Sequence, residues 1–176
     1  MWMQSFLSLG PVLLFVAANS LLWNHRVLWY CYQVGIFTSC VLNFILKGLF
    51  KYPRPSLSPN QFQFLLQSGQ RFMYPPGWLL PQDAYGFPSG HAQSAMFSTV
   101  FVHLALKKRK TTLLFFLATI AIMLQRVIYN HHTLMQVLAG ALVGGIFAYP
   151  VYLVAQQTLK GDMRLKPDDN AFSIFI

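Results

Sequence analysis

Five apolar stretches, near residues 5–23, 27–46, 90–106, 111–126 and 133–155, take up most of this 176-residue chain. Each is long enough, or nearly so, to cross the about 30 Å of hydrocarbon in a bilayer as a helix. In lipid a backbone has to satisfy its own polar groups, so such stretches fold as helices that pack on one another. The expected fold is all-α, a multi-pass transmembrane helical bundle of about five spans. Residues 1–155 would form one membrane-embedded domain and 156–176 a polar cytoplasmic tail. With 55% hydrophobic and 10% charged residues, the composition lies outside the range of soluble domains. The N-terminal stretch has no positive segment before it, so it reads as a retained span and not as a cleaved signal. Cys31 and Cys40 fall in one apolar run, too far apart along a helix to bridge, and are expected as buried free thiols.

The connections are short except for residues 53–89. Pro53, Pro55, Pro59, Pro75, Pro76 and Pro81 rule out one long helix there. The segment's Phe, Tyr and Trp suit the membrane interface. It reads either as an anchoring loop or as a lid over a pocket. Gly140-x3-Gly144, followed by Gly145, predicts close helix packing in the last span.

The formal charge of +9 arises from 13 Lys and Arg against four Asp and no Glu. Arg26, the run Lys107-Lys108-Arg109-Lys110, Lys160, Arg164 and Lys166 fall on one side of a five-span chain. Lys47, Lys51, Arg54, Arg71 and Arg126 fall on the other. The richer side is expected in the cytoplasm, where it meets anionic headgroups. No nucleic-acid partner is expected, because no soluble basic surface exists to carry one.

Three polar motifs interrupt the apolar pattern: Lys47-x6-Arg54-Pro55, Pro88-Ser89-Gly90-His91, and Arg126-x5-His132. The five-span arrangement brings all of them out on the same face. Three cations gathered there without a counter-charge would repel one another. A phosphate supplies that charge, since guanidinium groups match its oxygens in pairs and Lys acts as a point charge. For Lys51 and Arg71, ordinary snorkelling is the better reading. Pro88 and Ser89 can start a helix whose amides point at an anion, and Gly90 permits close backbone approach. His91 is placed to protonate a leaving oxygen, and His132, at the start of the last span, to attack phosphorus. His131 is the adjacent alternative to His132, while His25 and His103 read as hydrogen-bonded packing residues. No metal and no cofactor are expected, because no carboxylate cluster exists to hold a cation.

These residues resemble the type 2 phosphatidic acid phosphatase superfamily, whose signature reads KxxxxxxRP, PSGH and SRxxxxxHxxxD. The resemblance implies an α-helical bundle and a metal-independent lipid-phosphate phosphohydrolase. By motif matching, Lys47, Arg54, Ser89, Gly90 and Arg126 would bind phosphate, His91 would be the acid and His132 the nucleophile. Membrane members usually have six spans, one more than this chain. Two positions depart: Gln125 replaces the Ser, and Gln136 replaces the Asp that orients the nucleophile. An amide can accept the same ring hydrogen bond but brings no charge, so Gln136→Asp is expected to retain or raise activity. His132-Thr133-Leu134-Met135-Gln136-Val137-Leu138 resembles the dolichyl diphosphate phosphatase branch, in which Gln also occurs. That resemblance implies a dolichyl or polyprenyl diphosphate substrate, in an endoplasmic reticulum membrane with a lumenal active site. A bacterial inner membrane with a periplasmic site is the alternative. Phosphatidate, sphingoid phosphate and phosphatidylglycerol phosphate stay open as substrates, as does a non-catalytic relative that binds lipid phosphate.

Overall fold

The computed structural model describes residues 8–68 and 84–165. The chain is all-helical over these residues, apart from one isolated antiparallel bridge between Pro53 and Tyr85. In chain order the helices are α1 (Gly10–Leu22), α2 (Arg26–Phe50), α3 (Pro59–Ser68), α4 (Gly90–Leu106), α5 (Arg109–Ile128) and α6 (Leu134–Leu165). Five of them correspond to the five apolar stretches. Among the described residues, α2, α5 and residues 134–160 of α6 are long and apolar enough to cross a membrane, and α1 is a shorter apolar helix.

Local chemistry sets the ends. Pro11 sits in the first turn of α1, where its missing N–H is not needed. α2 runs four residues beyond its apolar stretch and ends on Lys51 in the left-handed region (φ 54°), whose amide donates to the Lys47 carbonyl. Lys47 therefore lies inside the last turn of α2, not after the helix as expected. Ser58 and Gln61 begin α3 with a reciprocal pair: each backbone amide donates to the other's side-chain oxygen. α4 closes in the same manner as α2, on Lys107 (φ 53°) bonded to the His103 carbonyl. α6 continues through Pro150 to Leu165, so the polar segment expected from 156 begins as helix. Residues 69–83, which include Arg71 and much of the long connection, lie outside the described residues, as do those beyond Leu165.

α4 is the central helix, packed against α1, α2, α5 and α6. Tyr32, Phe97 and Phe101 are fully buried, with Phe97 stacked on Phe101 and Tyr32 tilted against both, and the Tyr32 hydroxyl meets Ser98 Oγ at 2.8 Å. The α4–α6 crossing depends on small residues. A Cβ added at Gly140 would lie 2.3 Å from the Ser89 carbonyl oxygen, and one at Gly144 would lie 2.1 Å from that of Gln93. The glycine pair thus serves packing within the chain, as the spacing predicted. Large apolar side chains such as Phe37, Leu114, Met135 and Ile146 point outward. That inside-out pattern suits a bundle solvated by lipid tails. Cys31 is half-buried and Cys40 is exposed, so the second thiol is not in the core as expected; no bridge joins them. His103 is hydrogen-bonded to Thr112 as anticipated but is exposed, and His25 is exposed at the start of α2, so neither is the packing residue expected.

Candidate active site

The three motifs meet at one end of the bundle. Lys47 occupies the last turn of α2, and Arg54 lies in the turn that follows, closed by the Leu57 amide donating to the Arg54 carbonyl. Ser89 caps α4, and Arg126 lies in the last turn of α5. Between α5 and α6 the chain folds back tightly. The Arg126 carbonyl accepts from the amides of both His131 (3.0 Å) and His132 (3.1 Å), and Asn130 takes the left-handed conformation the turn requires (φ 55°). The five-residue spacing between Arg126 and His132 is the length of that turn.

His132 is buried, with its ring fixed by acceptors. Nδ1 lies 2.9 Å from the Gly86 carbonyl and 3.2 Å from Gln136 Oε1. Both are oxygens that accept, so Nδ1 carries the hydrogen and Nε2 keeps its lone pair. The Gln136 amide has its orientation set independently, because Oε1 accepts from the Thr133 amide (3.1 Å) while Nε2 donates to the Pro53 carbonyl (3.0 Å). Burial first, then the charges of Arg54, Arg126 and Lys47, push the His132 pKa down from 6.5 to about 2, against an opposing pull from the Gln136 hydrogen bond. The ring is neutral at physiological pH. His131, beside it, is pushed down to about 4 by burial and by Arg126 and Arg54. Its Nδ1 is buried with no hydrogen-bond partner.

His91 stands on the first turn of α4, within electrostatic reach of Arg126, Arg54 and Lys47. Its Nε2 lies 3.2 Å from the Ser8 carbonyl, which can only accept, so the hydrogen is on Nε2. The structure thus gathers Lys47, Arg54, Ser89, Gly90, His91, Arg126, His132 and Gln136 at one place. All four Asp of the chain (Asp83, Asp162, Asp168, Asp169) lie where side chains are not described. Among the described side chains, then, no carboxylate balances the cations.

Ser89 departs from expectation in one respect. Its amide donates to the Gln136 carbonyl at 2.9 Å and so does not point at an anion. Its hydroxyl is what remains, fully buried with no partner. The amides of Gly90, His91 and Ala92 precede the first intrahelical bond of α4, made by Gln93 to the Ser89 carbonyl, and are the donors left at the helix start. Arg126 is likewise buried, with its Nε lacking a partner. An oxyanion among these groups would satisfy buried donors that are otherwise costly to leave unmade.

Several contributors escaped the motif reading. The Pro53 and Gly86 carbonyls hold Gln136 and His132, and the Gly86 amide donates to the Tyr52 carbonyl at 2.6 Å. Thr133 and Gln136 form a second reciprocal cap, with the Gln136 amide donating to Thr133 Oγ1 at 3.3 Å. That cap had a readable signal, Thr-x-x-Gln ahead of an apolar run.

A family model, that of the PAP2 superfamily, matches residues 26–160. The chain is similar to a curated relative, "Dolichyldiphosphatase 1" of Plecturocebus moloch, at 27% identity over 172 residues. The match covers 88% of this chain and 65% of that protein, so the chain spans about two thirds of the relative's length. No solved structure matches it.

Proposed function

Because the chain belongs to the PAP2 superfamily, we propose that it is an integral membrane lipid-phosphate phosphohydrolase that cleaves a dolichyl or polyprenyl diphosphate through a phospho-histidine. One observation carries this reading. The neutral His132 ring has its Nδ1 hydrogen tied to Gly86 and Gln136, with the charges of Lys47, Arg54 and Arg126 close enough to act on it. Nε2 of such a ring keeps the lone pair of a nucleophile, and the cations supply the charge to hold an anion beside it.

In the first step Nε2 of His132 bonds to the terminal phosphorus as the bond from phosphorus to the leaving oxygen breaks. His91, protonated as the bound diphosphate offsets the charges of Lys47, Arg54 and Arg126, gives that oxygen a proton and returns to the neutral ring, and the lipid leaves one phosphate shorter. In the second step His91 takes a proton from water, whose oxygen displaces His132 and frees inorganic phosphate. Lys47, Arg54, Arg126, the Ser89 hydroxyl and the amides at the start of α4 stabilise the charge on the equatorial oxygens. The dolichyl choice draws on the relative's name and on Gln136. The site is proposed to face the endoplasmic reticulum lumen, opposite the Lys107–Lys110 run.

Purified protein in detergent, offered a panel of lipid phosphates with EDTA present, tests this reading. Phosphate release should be fastest from polyprenyl diphosphate, persist in EDTA and vanish in His132→Ala. Faster release from phosphatidate, sphingoid phosphate or phosphatidylglycerol phosphate would reassign the substrate. Equal background release by both proteins would leave a lipid-phosphate-binding relative.

A further inference from the structure

Outside the three motifs, a chain of buried polar side chains reaches the site from within the bundle. Ser39 and Asn43 lie one turn apart on α2, and Gln93 ends the first turn of α4. All three are buried, Ser39 and Gln93 almost completely. Gln93 Nε2 donates to Ser39 at both its carbonyl (2.7 Å) and its hydroxyl (3.0 Å). Gln93 Oε1 accepts from Asn43 Nδ2 at 2.8 Å, and the same Nδ2 donates to the Pro88 carbonyl at 3.3 Å. Both partners of Nδ2 accept, so the Asn43 amide has one orientation. Its Oδ1 then faces Gly90, where it lies 3.0 Å from the place a Cβ would occupy.

A buried polar relay can simply fix how two helices register. Where this one ends argues for more. Asn43 lies one turn before Lys47 on the same helix, and Pro88 immediately precedes the residues that lead into His91. The relay therefore couples the helix of a phosphate-binding cation to the helix start that carries the acid. We propose that Asn43, oriented by Gln93, is a positioning residue for His91. It sets the distance from the proton donor to a phosphate held by Lys47, Arg54 and Arg126. It also explains the glycine of the Ser89-Gly90-His91 run, since a side chain there would push Asn43 away. This inference rests on the hydrolytic reading given above.

A misplaced acid harms substrates according to their leaving group, which loss of fold would not do. The test compares an alkyl phosphate, whose leaving alkoxide needs the proton, with p-nitrophenyl phosphate, whose leaving phenolate does not. Asn43→Leu and Gln93→Met fill the same space without the relay. In both, kcat/KM on the alkyl phosphate, which reports the step in which the leaving group departs, should fall about 10- to 100-fold, as expected for a small displacement of a reacting group. kcat/KM on p-nitrophenyl phosphate should change little, whatever happens to the later attack of water. An equal fall in kcat/KM on both substrates, or no change on either, would overturn the inference. If Asn43→Leu does not yield folded protein, Gln93→Met and Ser39→Ala decide it by the same comparison. Wild-type protein that hydrolyses neither of these substrates nor polyprenyl diphosphate would instead remove the hydrolytic reading, and this inference with it.

Discussion

The Gln136 amide donates to the Pro53 carbonyl at 3.0 Å, tying the start of α6 to the segment that carries Arg54. The other end of that amide accepts from His132 and Thr133, and the Gln136 backbone carbonyl accepts from Ser89. One residue thus touches all three motifs. A carboxylate can do the accepting half of this work and not the donating half.

For that reason the structure reverses what the sequence suggests for Gln136→Asp. The shorter acid loses the Pro53 bond and sets its charge toward a carbonyl oxygen. Losing such a buried bond costs about 1–3 kcal/mol. If that loss falls on the transition state, kcat drops about 5- to 150-fold. Gln136→Glu, which keeps the length, should fall between Asp and wild type. Steady-state kinetics on the best lipid substrate check this, and a Gln136→Asp enzyme as active as wild type would contradict it.

His131 and His132 make stability depend on pH with a definite sign. Their pKa values are lowered from 6.5 to about 4 and about 2 in the folded protein. Below 6.5 the unfolded chain binds more protons than the folded one, so stability present above that value is lost as pH falls. Thermal midpoints in detergent should decline between about pH 7 and about pH 5, and less so in His131→Asn. Binding of inorganic phosphate should oppose the trend. An anion beside Arg54 and Arg126 offsets their charge and lets His131 take up a proton. Calorimetry in buffers of different ionisation enthalpy measures that uptake, which His131→Asn should reduce.

The α4–α6 contact predicts a contrast among neighbouring glycines. Gly140→Ala and Gly144→Ala place a methyl against backbone oxygens of Ser89 and Gln93, at 2.3 and 2.1 Å, so the helices have to separate. Overpacking of this kind costs about 1–3 kcal/mol. Gly145→Ala meets only side chains, Met96 at 3.4 Å and Val100 at 3.7 Å, and should be near neutral. Gly140→Ala should also slow catalysis, because it displaces Ser89. Melting midpoints and phosphate release in the three variants check both statements.

Much of this arrangement was legible from residue types and spacing. The apolar stretches gave five helices, and placing cations and imidazoles at their ends put them on one face. Arg126-x5-His132 specified a turn of fixed length. Helix ends were less legible where polarity changes before the hydrogen-bond ladder does: α2 carries Lys47 because its backbone bonds continue to Phe50. Least legible were pairings that join distant segments. Gln136 with Pro53, Asn43 with Pro88, and the Ser89 amide with the Gln136 carbonyl leave no local pattern, since the partner is a backbone carbonyl that any residue could supply. Gln136 looked like a weakened Asp for that reason. Only its Pro53 contact distinguishes an amide from an acid there.

The stereochemical course at phosphorus tests the central claim most directly. A polyprenyl diphosphate made chiral at its terminal phosphorus with oxygen isotopes and sulfur would be hydrolysed by the purified protein in labelled water. Attack by His132 followed by attack by water inverts the centre twice, so the released thiophosphate should show net retention. Net inversion would mean that water attacks directly, and would contradict a covalent role for His132.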